Sequence, residues 1–215
     1  MSERTGTSTP SWALLVPVKP PAAAKSRLAL PASGRALLAL AMAADVVAAG
    51  LSTPSVALTV VVAESVDGLE DLQRQGAQVV LVPDAQGLNS ALVHAAAVVA
   101  ARNRGLGIAS VVADLPAATS QQLDRALAAA AEHDRAFLAD AAGTGTTLLA
   151  SREWKAYRPE HGSHSRQRHD EAGWSLLTPP DVPGLRQDVD TLADLSAAAR
   201  LGVGRRTADV LASLQ

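Results

Sequence analysis

The feature that most constrains this chain is a rhythm in which apolar, β-branched runs alternate four times with alanine-rich stretches of helical period. The runs at 14–16, 56–63 and 108–113 are almost continuously apolar, broken only by Thr59 and Ser110, so each is expected in a sheet covered on both faces, with 78–82 as a further strand. Between them, 33–49 carries Leu37, Leu40, Ala41, Ala44 and Val47 at the spacing of one helical face, with Gly50 as its stop. A short helix is expected over 68–75. Residues 88–104 turn Leu92, Ala95, Ala96 and Val99 inward, and 119–132 form a helix that Thr119 or Ser120 can cap. This order predicts an α/β fold, a mostly parallel, doubly wound central sheet flanked by helices with short connections. Aromatic residues make up only 2% of the chain, so the core must be built from Ala, Val and Leu.

Beyond 135 the rhythm changes. Short strands at 136–139 and 148–150 flank a Gly/Thr loop, 151–173 has no usable periodicity, and 174–177 is predicted as an added antiparallel strand. Thr191 with Asp194 makes a capping pair for a last helix from Leu192. No internal repeat and no linker divides 12–215, which is expected to be one domain. Residues 1–11 are polar and Ser/Thr-rich and are expected to be a disordered tail, without the apolar core of a signal peptide. A net charge of −2 supplies no field for nucleic acid or an acidic membrane. With no cysteine, thiolate chemistry and Cys-based zinc sites are excluded. The expectation is a cytoplasmic protein with neither nucleic acid nor membrane as partner.

Three groups of residues carry chemistry. The first apolar run ends at Pro17 in a proline-broken loop holding Lys19, Lys25 and Arg27 with no acid among them. A cationic loop leaving the C-terminal edge of an α/β sheet reads as a phosphate or nucleotide loop, and a solvated basic loop is the alternative. It is not a Walker motif, because the glycines that would wrap a phosphate are absent. Asp114 stands at the end of a central strand, and Asp188 and Asp190 flank Val189 at period two. Carboxylates opposite a basic phosphate loop point to magnesium, whereas the competing reading of Asp188 and Asp190 is as helix-start acids favoured by the macrodipole.

The third group comprises two loops. Gly143-Thr144-Gly145-Thr146-Thr147 can turn backbone N–H groups and hydroxyls toward an anion, or it can be a simple hairpin turn. In the stretch from His161 to His169, three histidines raise zinc, but no further ligand has the spacing of a zinc site. Gly162, Ser165 and the Arg/His cluster read instead as a loop that gathers a small acidic ligand, or as a mobile polar loop. No nucleophile elbow and no dinucleotide fingerprint is present.

Taken in order, Pro17-Val18-Lys19 with Ala24-Lys25-Ser26-Arg27-Leu28, Gly87-Leu88-Asn89-Ser90-Ala91, Ala113-Asp114-Leu115-Pro116, Asp140 with the Gly143 to Thr147 loop, Gly162 to Ser165 with His169, and Asp188-Val189-Asp190-Thr191 with Asp194-Leu195 resemble the phosphoenolpyruvate or 2-phospho-L-lactate guanylyltransferases of coenzyme F-420 biosynthesis. The resemblance implies a single-domain nucleotidyltransferase fold, similar to glycosyltransferase type A domains, that joins GTP to a phosphorylated three-carbon acid and releases pyrophosphate. It implies that Asp114, Asp188 and Asp190 carry Mg2+ and that Thr147, Gly162 and Ser165 hold the acid. It further implies that Lys19, Lys25 and Arg27 act catalytically on the phosphates, with Pro17, Lys19, Lys25 and Asn89 on the nucleotide. Phosphoenolpyruvate is the expected acceptor. The alternatives are 2-phospho-L-lactate, a cytidylyl transfer onto a sugar phosphate, or a noncatalytic nucleotide-binding module. One departure is visible: the family's third loop usually reads Phe-Gly-x-(small)-Ser, whereas this chain places His161 and His164 there, and a bulky residue stands where the backbone can need positive φ.

Overall fold

The computed structural model describes residues 11–20, 28 and 31–214. Strands β1 (Trp12–Pro17), β2 (Val56–Ala63), β3 (Gln78–Leu81) and β4 (Gly107–Val111) alternate with helices α1 (Ala32–Leu51), α2 (Glu70–Arg74) and α3 (Leu88–Arg102). They are followed by α4 (Ser120–Ala130), β5 (Arg135–Ala139), β6 (Thr146–Ser151), α5 (Ser165–Glu171), β7 (Ser175–Leu176), α6 (Leu192–Leu201) and α7 (Arg205–Ser213). The seven strands form one sheet in the order β3-β2-β1-β4-β6-β5-β7. The first four are mutually parallel, and β6 runs antiparallel to both β4 and β5.

The apolar runs are covered on both sides, as their composition requires. On β1, Leu14 and Val16 pack with Val46 and Val47 of α1 and Leu123 and Leu127 of α4. Ala13 and Leu15, at the alternate positions, face Leu92, Ala95 and Val99 of α3. In this second layer Tyr157 is fully buried and donates its hydroxyl to Ser110 Oγ at 2.6 Å. Helix α1 is long and apolar enough to cross a membrane, yet 61% of that stretch is buried within the domain, where it serves as a core helix.

Several expectations are corrected. Helix α1 does not stop at Gly50 but runs to Leu51, because Gly50 is where the helix passes closely over Leu14 and Thr59. Leu37 is 55% exposed, and its neighbour Leu38 takes the inward place beside Met42. The added strand at 175–176 pairs parallel to β5, not antiparallel. The connection from β6 passes β5 and returns through α5 at the same end of the sheet, so β7 runs antiparallel to β6 and therefore parallel to β5. The polar stretch without periodicity contains α5 itself, which buries only Ser165 and His169 and so carries no apolar face to read. The last helix is two helices. Thr119 caps α4 by accepting from Gln122 N, and Thr191 with Asp194 forms a reciprocal capping box on α6.

Candidate active site

The chain runs from β1 outward to β2 and β3, then returns to β4 on the other side of β1, so the strand order reverses at the β1–β4 pair. Open α/β sheets bind ligands at such a point, beyond the carboxyl ends of the strands. Leu15 pairs with Ser110, so the loops after β1 and β4 leave the sheet side by side. The first holds Pro17, half-buried at the end of β1, then Val18, whose N–H donates to Val62 O at 2.8 Å, and the exposed Lys19. Leu28, farther along, is buried in a cluster with Leu38, Met42 and Val189. Lys25 and Arg27 lie outside the described residues, as does most of the 1–11 tail.

Backbone hydrogen bonds tie the second loop to the downstream candidates. Val112 N donates to Thr147 O at 3.0 Å, and Val189 N donates to Asp114 O at 3.0 Å. Asp114 therefore has Thr147 on one side and the 188–190 segment on the other. Asp188 is half-buried, and burial first, then the charges of Asp114, Asp140 and Asp190, push its carboxyl up from the usual range to about 6. Asp190 is exposed. The helix-start role that competes for Asp188 and Asp190 is filled by other residues, since the cap on α6 is built from the Thr191 and Asp194 side chains.

Among the described residues no three acidic or histidine side chains are already arranged as a metal site. The donor set nevertheless fits a hard divalent cation: it is oxygen only, and the charges of its neighbours raise the proton affinity of Asp188, which a cation would reverse.

Asp140, part of the Gly/Thr motif but given no role from the sequence, sits at the end of β5 just as Asp114 follows β4. Its buried carboxylate accepts from Thr144 N and Gly145 N, each at 2.9 Å, closing the Gly/Thr turn. Arg186 braces the same turn by donating to Ala139 O at 3.1 Å and Asp140 O at 3.0 Å. Thr147 is buried in β6, and its hydroxyl donates to Leu138 O across the ladder at 3.4 Å.

The third loop is held from three directions. Asn89, near the start of α3, clasps it by accepting from His161 N at 2.8 Å and donating to His161 O at 3.1 Å. Arg166 N donates to Thr144 O at 3.2 Å, joining α5 to the Gly/Thr turn. His169, fully buried, accepts from Glu160 N through Nε2 at 2.9 Å, which leaves Nδ1 as the protonated nitrogen facing Thr146 Oγ1 at 2.9 Å. Burial and the adjacent Arg168 hold His169 neutral, with its pKa lowered to about 4. His161 is lowered to about 4 by burial, His169 and Arg168. His164 adopts the left-handed conformation, φ 55° and ψ 33°, so the bulky residue does stand where positive φ is needed. Ser165 follows, buried, with its N–H donating to Gly162 O at 3.2 Å.

The family described as guanylyl transferase CofC like matches residues 12–174. A phosphoenolpyruvate guanylyltransferase of Streptomyces coelicolor is 48% identical over 205 residues, covering 94% of this chain and 97% of that protein. That of Streptomyces avermitilis is 49% identical over 206 residues, covering 94% and 95%. Among solved structures, a Desulfovibrio desulfuricans protein assigned as a nucleotide-diphospho-sugar transferase superposes with a TM-score of 0.70 at 18% identity, over 95% of each chain. A Mycobacterium tuberculosis protein solved with manganese gives a TM-score of 0.53 at 20% identity, over 89% of this chain and 100% of its own. These last two share the fold.

Proposed function

The chain belongs to the CofC-like guanylyl transferase family, and from that premise we propose that it joins GTP to phosphoenolpyruvate, releasing pyrophosphate, as a step in coenzyme F-420 biosynthesis. The observation that carries this reading is the group of mutually repelling carboxylates at the strand-order reversal, tied through backbone bonds to Thr147 and to the 188–190 segment. Such a group suits a reaction between two anions. In this reading the protein is soluble and cytoplasmic, and its partners are its two small substrates.

The acceptor phosphate oxygen attacks the α-phosphorus of GTP, and the bond to the departing pyrophosphate breaks. A phosphate monoester is already largely ionised at pH 7, so no general base and no protein nucleophile is called for. The protein's work is to align the two anions and to stabilise the charge that grows on pyrophosphate. Lys19, Lys25 and Arg27 supply fixed positive charge on the nucleotide side, where Pro17 and Asn89 border the base and ribose. Thr147, Gly162 and Ser165 receive the acceptor. Asp114, Asp188 and Asp190 would hold a divalent metal, magnesium in this reading, which when bound offsets phosphate charge as a Lewis acid.

The test of the acceptor is to incubate the protein with GTP, magnesium and either phosphoenolpyruvate or 2-phospho-L-lactate and to weigh the guanosine adducts. Phosphoenolpyruvate is expected to be the better acceptor, and a preference for 2-phospho-L-lactate would reassign it. On the acceptor side, Thr147→Ala and Ser165→Ala should each raise the KM for phosphoenolpyruvate by roughly tenfold or more, since a hydrogen bond to a charged group contributes about 1.5–3 kcal/mol. The KM for GTP should stay within about twofold of the wild type, a margin well below the loss of one such bond. Lost GTP affinity with retained acceptor affinity would reverse this division of the cleft.

A further inference from the structure

Helix α7 starts at Gly204, a cap position with no side chain to meet the first N–H groups of the helix. The acceptor comes from another helix. Asp45, buried within α1, serves two of them: Oδ1 accepts from Arg206 N at 3.0 Å and Oδ2 from Thr207 N at 2.9 Å. A carboxylate buried among apolar helices is costly unless it is met in this way, and this one also faces the positive end of a helix dipole. The fit is close, because a Cβ on Gly204 would overlap the Asp45 carboxyl.

The same junction reaches the candidate metal carboxylates through backbone bonds. Gly204 N donates to Pro116 O at 2.8 Å, just beyond Asp114, and Val189 N, between Asp188 and Asp190, donates to Asp114 O at 3.0 Å. Helix α6 joins the two donors along the chain. The result is a closed ring that runs from Asp114 to Val189, along α6 to Gly204, and back to Pro116. Side chains follow the same connection. Ala117 and Val189 share one buried cluster with Leu38 and Met42 of α1, and Val210 and Leu211 of α7 pack against it.

We propose that Asp45 is a positioning residue for the metal site: by docking α7 on α1 it fixes where the 188–190 segment lies relative to Asp114. This rests on the reading above that Asp114, Asp188 and Asp190 hold a divalent cation. Asp188 lies in the field of Asp114 and Asp190, so the two segments repel each other before a cation arrives. Magnesium tolerates little departure from its coordination geometry, so a rigid connection behind the ligands sets how well it is held.

The test measures Mn2+ binding by calorimetry, and amide hydrogen exchange at Val189 and Gly204 in metal-free protein, for the wild type, Asp45→Ala, Asp45→Asn and Gly204→Ala. Asp45→Ala should weaken Mn2+ binding about tenfold or more, the loss usual when support behind a metal ligand is removed, and should speed exchange at Val189 by about the same factor. Gly204→Ala keeps the carboxylate but pushes α7 away from it, so it should reproduce both effects even if Asp45→Ala folds poorly. Asp45→Asn keeps one acceptor oxygen and should fall between Asp45→Ala and the wild type. Val99→Ala, in the buried layer across the sheet, is the control for general destabilisation: it should lower the melting temperature and leave Mn2+ affinity within about twofold of the wild type. An equal loss of Mn2+ affinity in Val99→Ala, or unchanged affinity in both Asp45→Ala and Gly204→Ala, would overturn the role. A wild type that binds no Mn2+ would count against the carboxylate reading given above, while exchange at Val189 still decides whether Asp45 holds the 188–190 segment.

Discussion

Asp188→Asn is expected to abolish guanylyl transfer, by about a thousandfold or more, and at the same time to raise the melting temperature of the metal-free protein. The two effects have one cause. Asp188 is half-buried among Asp114, Asp140 and Asp190, which together with burial push its carboxyl up to about 6. A group whose folded pKa lies above its unfolded value of 3.8 stabilises the fold fully below that value, and the contribution is lost as pH rises through the folded pKa. Asparagine removes the titration. The difference in melting temperature between variant and wild type should therefore grow from about pH 4 to about pH 6 and level off above. Added magnesium should stabilise the wild type and leave the variant nearly unmoved. An active Asp188→Asn enzyme, or one less stable than wild type at pH 8, would remove Asp188 from the site.

Asp140→Ala is expected to lower stability by about 3 kcal/mol in urea denaturation, because it strips two backbone N–H groups of a charged acceptor. Those groups, Thr144 N and Gly145 N, form the turn that leads into Thr147, so the KM for phosphoenolpyruvate should rise with the loss of the turn. Asp140→Asn retains one acceptor oxygen and should cost about half as much. A loss below about 1 kcal/mol for the alanine variant would mean that the turn closes without the carboxylate, within the range of an ordinary neutral hydrogen bond.

How much of this was legible in the sequence depends on whether a residue's neighbours are set by local pattern. The strands β1, β2 and β4 were readable because an apolar run has few other places to go, and so was the place of Asp114 just beyond β4, because it follows such a run. The direction of β7 was not, since two residues carry no directional signal and α5 hides in a stretch whose buried members are a serine and a histidine. Asp140 left a trace, an acid closing a strand before Gly143 and Gly145. Arg168 stood in view inside an Arg/His cluster, but only the packing of α5 against Gly162 separates the half-buried Arg168 from the exposed Arg166. Asn89 was placed beside the nucleotide from the order of motifs, and its amide is engaged with the His161 backbone across 72 positions of sequence, a pairing no local pattern encodes.

The central claim is that this cleft transfers a guanylyl group to phosphoenolpyruvate. It is tested most directly by following pyrophosphate release and adduct mass together, with GTP or ATP as donor at saturating phosphoenolpyruvate and magnesium. A pocket built for the guanine edge leaves buried groups unpaired with adenine, so GTP should be used far better than ATP, with one pyrophosphate released per guanosine adduct. Equal rates with both nucleotides, or pyrophosphate released without an adduct, would contradict it.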